Sequence, residues 1–257
     1  MSDLTTLLDL ARRAAQAAGA LLLERFGDPQ SGLDSKSSRT DLVSDADRDA
    51  EALLVDMLRA ERPDDGLLAE EGSTATSNTG IRWIVDPLDG TINYLWGIPH
   101  WSVSIAAADD VGDLVAAVFD PCRNEMFTAS RGGGAWQAGT RLALTPSEDL
   151  AEALVGTGFA YVAEERERQA EMLRRFLPHV RDVRRFGSAA LDLAWVAAGR
   201  LDAFYETGLS PWDWAGGSAL VREAGGTATT LTTVHGRDGF LAARPGLAAH
   251  LLRLIDR

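Results

Sequence analysis

The chain has one cysteine, Cys122, so it can form no internal disulfide, and a reducing cytoplasm is the simplest home for it. It also lacks any apolar run of about eighteen residues, which excludes a membrane-spanning helix. A secretory leader would open on positive charge and continue as an apolar block. Here MSDLTTLLDLARRAAQAAGALLLERF sets Asp3 ahead of Arg12 and Arg13 inside an amphipathic pattern, which reads as a helix. Positive charge is scarce: 25 Lys and Arg face 38 Asp and Glu, a net charge of −13. That balance argues against nucleic-acid binding, which normally needs a basic face. An acidic pocket would repel a phosphate substrate too, unless divalent cations stood between them and inverted the local charge. Repeats are absent, and the one biased stretch is the short STATSNTG tract at 73–80, which reads as a flexible loop.

The chain does have enough apolar residues for a core. They make up 46% of its 257 residues, with 25% charged, which is ordinary for a soluble globular protein of one large domain or two intimate lobes. Helical periodicity predicts a helix over 4–26 that Gly27 stops, then a polar loop over 28–40. A second helix is expected from the N-cap Ser44 to Pro63. Strands are expected at 67–69 and 83–85, with hairpins pairing 102–108 with 114–119 and 126–129 with 135–138. Past Leu144 the pattern shifts to strands at 154–157, 183–185 and 202–205, with helices at 164–176, 189–198, 215–223 and 247–255. This mixture predicts a layered α/β architecture in two lobes, 1–145 and 146–257.

The most informative stretch is WIVDPLDGTINYLWG at 83–97. A short β-type run ends in Asp86 and Asp89, and Pro87 and Gly90 allow the backbone to turn. Two oxygen ligands with no nearby His or Cys suit a hard cation such as Mg²⁺. An ordinary turn would use the same residues. Glu70 and Glu71 follow the apolar 67–69 run, and if the two strands are neighbours, Glu70 and Asp86 meet at one end of the sheet. In YETGLSPWDWAGG, Glu206 ends a strand and Asp213 enters a helix, as a cap or as a ligand. Trp212 and Trp214 read as core or rim. The sequence FGSAA at 186–190 opens a helix whose N–H groups suit an anion or a sugar hydroxyl, or Ser188 is only a cap. Asp47, three residues after Ser44, stands where a helix favours acids. His100, between Pro99 and Trp101, reads as packing rather than as a general base, and Cys122 as a structural thiol.

Taken in order, the segment from Lys36 through Asp41 to Asp47, Glu70-Glu71, DPLDGT, GSAA and the late WD with AGG resemble the inositol monophosphatase family, within the Mg²⁺-dependent, lithium-sensitive phosphatases. The resemblance covers nearly the whole chain. It implies an αβαβα sandwich, commonly a homodimer, that hydrolyses a small phosphate ester. By position it assigns metal binding to Glu70, Asp86, the Leu88 carbonyl, Asp89 and Asp213, for two to three Mg²⁺ per site. It assigns phosphate contacts to Gly90 and Thr91, activation of water to Asp47, Thr91 and Glu70, and sugar or polyol contacts to Gly187, Ala189 and Glu206. Asp89 and Asp213 also face the substrate. Such hydrolysis asks for barrier lowering of roughly 20 kcal/mol or more. A lone general base supplies about 10²–10⁴-fold, so paired metals are expected to carry much of the load.

Two features depart from the family pattern: Ile92 stands where a second Thr is usual, and 156–159, Gly-Thr-Gly-Phe, lie in a region that shapes the leaving-group pocket. The expected substrate is a small polyol phosphate, foremost myo-inositol 1-phosphate, since YLWGIPHWSVSIA is nearer the inositol type. Histidinol phosphate is the rival, and a catalytically idle binding or regulatory member is a different class of reading. Retention of Glu70, Asp86, Asp89, Thr91 and Asp213 speaks against an idle protein.

Overall fold

The computed structural model describes residues 4–28, 34–35, 42–232 and 238–255. Helix α1 (Leu4–Arg25) is followed by a short antiparallel pair, β1 (Asp34–Ser35) and β2 (Leu42–Val43), and by α2 (Asp45–Glu61). The loop expected over 28–40 therefore contains a strand at 34–35; Lys36 and Asp41 lie outside the described residues. An eight-stranded sheet comes next, built from β3 (Gly66–Ala69), β4 (Thr74–Ala75), β5 (Arg82–Asp89), β6 (Ser102–Asp109), β7 (Gly112–Asp120), β8 (Glu125–Ser130), β9 (Gly134–Gln137) and β10 (Thr140–Leu142). A short helix, α3 (Thr91–Leu95), joins β5 to β6. The order across this sheet is β10-β9-β8-β7-β6-β5-β3-β4, with β3 and β5 parallel and the other pairs antiparallel.

The rest of the chain alternates more. It runs β11 (Leu154–Thr157), α4 (Ala163–Phe176), β12 (Asp182–Arg184), α5 (Ala189–Ala197), β13 (Ala203–Thr207), α6 (Pro211–Glu223), β14 (Thr227–Thr232), β15 (Asp238–Ala243) and α7 (Ala248–Ile255). Its strands form a five-stranded sheet in the order β12-β11-β13-β15-β14.

Apolar periodicity decides how the layers stack. Leu7, Leu10, Ala14, Ala18 and Leu22 line one buried face of α1, which packs with α2 on the outer side of the first sheet. Gly19 lets α1 lie close, because a Cβ there would meet the Phe119 ring at 2.6 Å. Helices α5 and α6 fill the space between the sheets: Leu191, Leu193, Val196 and Leu220 share one core with Val118 and Phe127 of the first sheet and Phe204 and Phe240 of the second. Helices α4 and α7 cover the far face through Met172, Phe176, Leu251 and Ile255. The result is the expected αβαβα sandwich.

Four local expectations need correction. Strand β5 does not stop at Asp86 but resumes pairing at Asp89 opposite Ser102, after a register irregularity. Pro87 has no N–H to give the ladder, so the strand bulges there instead of ending. Helix α6 starts at Pro211 rather than 215, because proline fits a first helical position whose N–H is unused. The tract at 73–80 is tied down: it contains β4, Thr79 Oγ1 donates to Asp65 at 2.6 Å, and Gly80 N–H donates to Ser77 Oγ at 2.9 Å. Strands β14 and β15 had no expected counterpart, since one is threonine-rich and the other is small and largely apolar, with no clean alternation to mark them.

Candidate active site

Strands β3 and β5 run parallel with Ala69 beside Val85, so Glu70 and Asp86 leave neighbouring strands at the same end of the sheet. They are close enough there that the charge of Glu70 helps to raise the Asp86 carboxyl. The turn that presents Glu70 is held from below by Glu51 of α2, whose oxygens accept from the Glu71 N–H at 2.6 Å and the Ser73 N–H at 3.0 Å. Beyond Asp86 the bulge folds back on itself: Leu88 N–H donates to Asp86 Oδ1 at 3.0 Å. Gly90 then adopts a left-handed backbone with φ of 98°, and a Cβ there would press on the carbonyl oxygens of Gly187 at 3.1 Å and His100 at 3.2 Å.

Asp89 reaches across to the start of α5. Its Oδ2 accepts from Ser188 Oγ at 2.5 Å and Ala190 N–H at 2.8 Å, and its Oδ1 from Ala189 N–H at 3.2 Å. The FGSAA terminus does hold an anion, but a protein carboxylate. Ser188 makes no side-chain cap bond of its own, and the Ala189 N–H donates to Asp89. Gly187, with φ of 91°, forms the bend before the helix.

Asp213 is both cap and site residue. It sits in the first turn of α6, where its Oδ2 accepts the Ser210 N–H at 2.6 Å in a capping box. Asp86, Asp89 and Asp213 each offer an oxygen within 4.8 Å of the others. These three carboxyls hold protons more tightly than usual. Burial is the chief cause for all three. Asp89 is pushed up to about 6, with the Ser188 hydroxyl and the α5 amides opposing the rise. Asp86 and Asp213 rise well above the usual carboxylate range, next through the charge of Glu70 and then that of Asp89. Two buried carboxylates and one half-buried one in repulsion, with only oxygen donors, fit a hard divalent cation.

Thr91 stands directly behind this group. Its hydroxyl is 3.0 Å from Asp47 Oδ1 and 3.1 Å from the Leu88 carbonyl, so the loop carrying Leu88 and the α2 terminus meet at Thr91. Asp47 is fully buried and also serves as the N3 acid of a capping box with Ser44. Glu206 lies at the end of β13 with its carboxylate where a Cβ on Gly158 would be, and burial pushes it up to about 8 against the pull of Arg185.

Several residues contribute that the motifs did not single out. Glu51 is one; a glutamate among the buried positions Ala50, Leu54, Val55 and Leu58 was its signal. Asn93 is another: its buried amide nitrogen donates to the carbonyls of His100 and Phe186, both at 2.7 Å, and so ties the loop after β5 to the start of α5. His100 is packed rather than open, stacked on Phe186 and edge-on to Trp195. Trp214 is half-buried, packed against the core and stacked on Phe240, and Trp212 is half-buried as well. Cys122 is a half-buried free thiol pushed up to about 11 by burial.

Comparison with known proteins shows the chain's relatives. The family model described as the inositol monophosphatase family matches residues 3–255. The inositol-1-monophosphatase SuhB of Mycobacterium tuberculosis is 44% identical over 246 residues, covering 91% of this chain and 85% of that protein. The Nus factor SuhB of Escherichia coli is 41% identical over 231 residues, covering 89% and 86%. The crystal structure of the extragenic suppressor protein SuhB from Bartonella henselae superposes with a TM-score of 0.90 at 36% identity, covering 98% of this chain and 99% of that one.

Proposed function

The chain belongs to the inositol monophosphatase family of phosphoric monoester hydrolases, and from that membership we propose that it is a Mg²⁺-dependent enzyme releasing phosphate from a small polyol phosphate, foremost myo-inositol 1-phosphate. The observation that carries this reading is the convergence of Asp86, Asp89 and Asp213 from β5 and α6, with ligand oxygens within 4.8 Å of one another. Glu70 beside Asp86 and the Leu88 carbonyl complete the proposed donor set. Two to three Mg²⁺ held there would polarise the phosphoryl oxygens, stabilise the departing alkoxide and lower the pKa of water.

The protein's own groups orient the reactants. Thr91 gives its proton to Asp47, which leaves its lone pairs to accept from the attacking water. Asp47 is fixed by Ser44 and cannot turn away. Glu70 is the second acceptor for that water. Gly90 and Thr91 contact the phosphate, a role the left-handed backbone at Gly90 suits because no side chain intrudes. Glu206, with Gly187 and Ala189, meets the hydroxyls of the leaving alcohol. A carboxyl whose pKa is pushed up to about 8 can donate to or accept from a hydroxyl near neutral pH.

The lobes 1–145 and 146–257 divide the work on this reading: the first carries most metal ligands, the second Asp213 and the specificity residues. We further assign a lithium-sensitive homodimer in the cytoplasm. Trp96, 65% exposed, and Ile98, 47% exposed, give an apolar surface consistent with a partner copy, and the lone cysteine fits a reducing compartment.

The deciding experiment compares kcat/KM for myo-inositol 1-phosphate, histidinol phosphate and fructose 1,6-bisphosphate with saturating Mg²⁺. The expected result is a preference of at least about tenfold for the inositol ester, or about 1.4 kcal/mol of transition-state discrimination. A higher value on histidinol phosphate reassigns the substrate. No Mg²⁺-dependent phosphate release from any ester would overturn the hydrolase reading.

A further inference from the structure

The Asp89 carboxylate accepts hydrogen bonds from Ser188, Ala189 and Ala190. Whatever fixes the first turn of α5 therefore also aims Asp89. Much of that work is done by residues 90–102. Asn93 bridges the two segments through the His100 and Phe186 carbonyls, and the hydroxyls of Ser102 and Ser188 lie 3.3 Å apart.

One further contact there is of a different kind. Asp192, one turn into α5 and 1% exposed, faces His100, 5% exposed, with Nε2 and Oδ1 at 3.9 Å. Among the described residues neither atom has a hydrogen-bond partner. At 3.9 Å the two atoms stand just beyond a direct hydrogen bond, which a small turn of either side chain would close. The ring is already aimed, with its centroid 5.0 Å from both Phe186 and Trp195. A buried carboxyl and a buried imidazole left without partners would be costly, so such a placement calls for a role.

We propose that Asp192 and His100 are a positioning pair that holds the first turn of α5, and with it Asp89, in the geometry that binds a divalent cation. The inference rests on the reading of Asp89 as a metal ligand. One proton, on Nε2 or on the carboxyl, serves the pair and ties α5 to the chain entering β6. Apolar contacts of Leu191, Leu193 and Val196 anchor the same helix in the core, so cutting the pair leaves the helix packed.

The test uses the full chain and Mg²⁺ alone, read by calorimetry, beside the Mg²⁺ dependence of phosphate release. His100→Phe keeps the ring stack and removes Nε2; Asp192→Leu removes the carboxyl; Asp192→Asn retains an acceptor. We expect each of the first two to raise the half-saturating Mg²⁺ concentration about tenfold, the scale of lost support behind a metal ligand. The double variant should be no worse than either single, because both remove one contact. Asp192→Asn should stay within about threefold of the native protein, and KM for the ester at saturating Mg²⁺ within about twofold. Singles within twofold of native, an additive double variant, or an Asn variant as weak as Leu would each overturn the pairing. Should Asp192→Leu fail to fold, His100→Phe and Asp192→Asn carry the test. A native protein that binds no Mg²⁺ defeats the metal reading itself, whereas native binding with unshifted variants defeats only the pair.

Discussion

The Thr91 hydroxyl lies 3.0 Å from Asp47 Oδ1, joining two buried side chains 44 residues apart in sequence. The other Asp47 oxygen is occupied by the Ser44 N–H and hydroxyl, so the carboxylate has one orientation, and that orientation takes the threonine proton. A threonine placed so that it must donate to protein is free to accept from water.

From this contact, Thr91→Val should lower kcat by about 10²–10⁴-fold, the range of a lost general-base relay, with a much smaller change in KM. Thr91→Ser retains the hydroxyl and should stay within about tenfold of native kcat. Steady-state kinetics at saturating Mg²⁺ decide it; native turnover in the valine variant would remove Thr91 from water activation.

Stability should depend on pH with a definite sign. Asp86, Asp89, Asp213 and Glu206 are all raised in the fold, chiefly by burial, while the unfolded chain releases those protons near pH 4. The native state thus binds more protons than the unfolded state from about pH 4 up to about 6 for Asp89 and about 8 for Glu206. Stability of the metal-free protein must fall as pH rises through that window. Melting temperatures in EDTA should decline from pH 5 to pH 8, and excess Mg²⁺ should restore most at the alkaline end, where protons no longer compete. A flat or rising profile in EDTA would contradict a cluster of mutually repelling buried carboxylates.

Gly158 tests the leaving-group side. A Cβ there would overlap the Glu206 carboxylate, which must then swing away. Gly158→Ala should therefore raise KM for a polyol phosphate several-fold, about 1 kcal/mol for one displaced hydrogen bond, and leave the Mg²⁺ dependence alone. Unchanged KM would separate Glu206 from the alcohol.

Much of this arrangement could be read in the chain because the site residues stand where local physics makes them visible. Asp86 ends an apolar run, Gly90 follows an Asp-Pro-Leu-Asp turn, and Asp213 sits between two tryptophans at a helix start. Asp47 and Asp213 each do two jobs, and their helix-capping role masks the other one in sequence. The contacts that tie these pieces together were not visible, because they join distant residues: Asn93 to Phe186, Asp89 to Ser188, Thr91 to Asp47. No local periodicity encodes such pairings. The bulge at Pro87 was missed for a related reason, since a proline that breaks a ladder looks the same whether the strand stops or resumes.

The most direct test of the account is phosphate release from myo-inositol 1-phosphate by the native protein and by Asp86→Asn, each titrated with Mg²⁺ and each melted in EDTA. The native enzyme should require Mg²⁺ and fall silent in EDTA. Asp86→Asn should lose about 10³-fold or more in kcat/KM, equivalent to the several kcal/mol a catalytic metal supplies. Its melting temperature in EDTA should match or exceed the native value, because a repelling buried carboxylate is gone. An Asp86→Asn protein that keeps its activity within about tenfold, or a native protein indifferent to EDTA, would contradict the account.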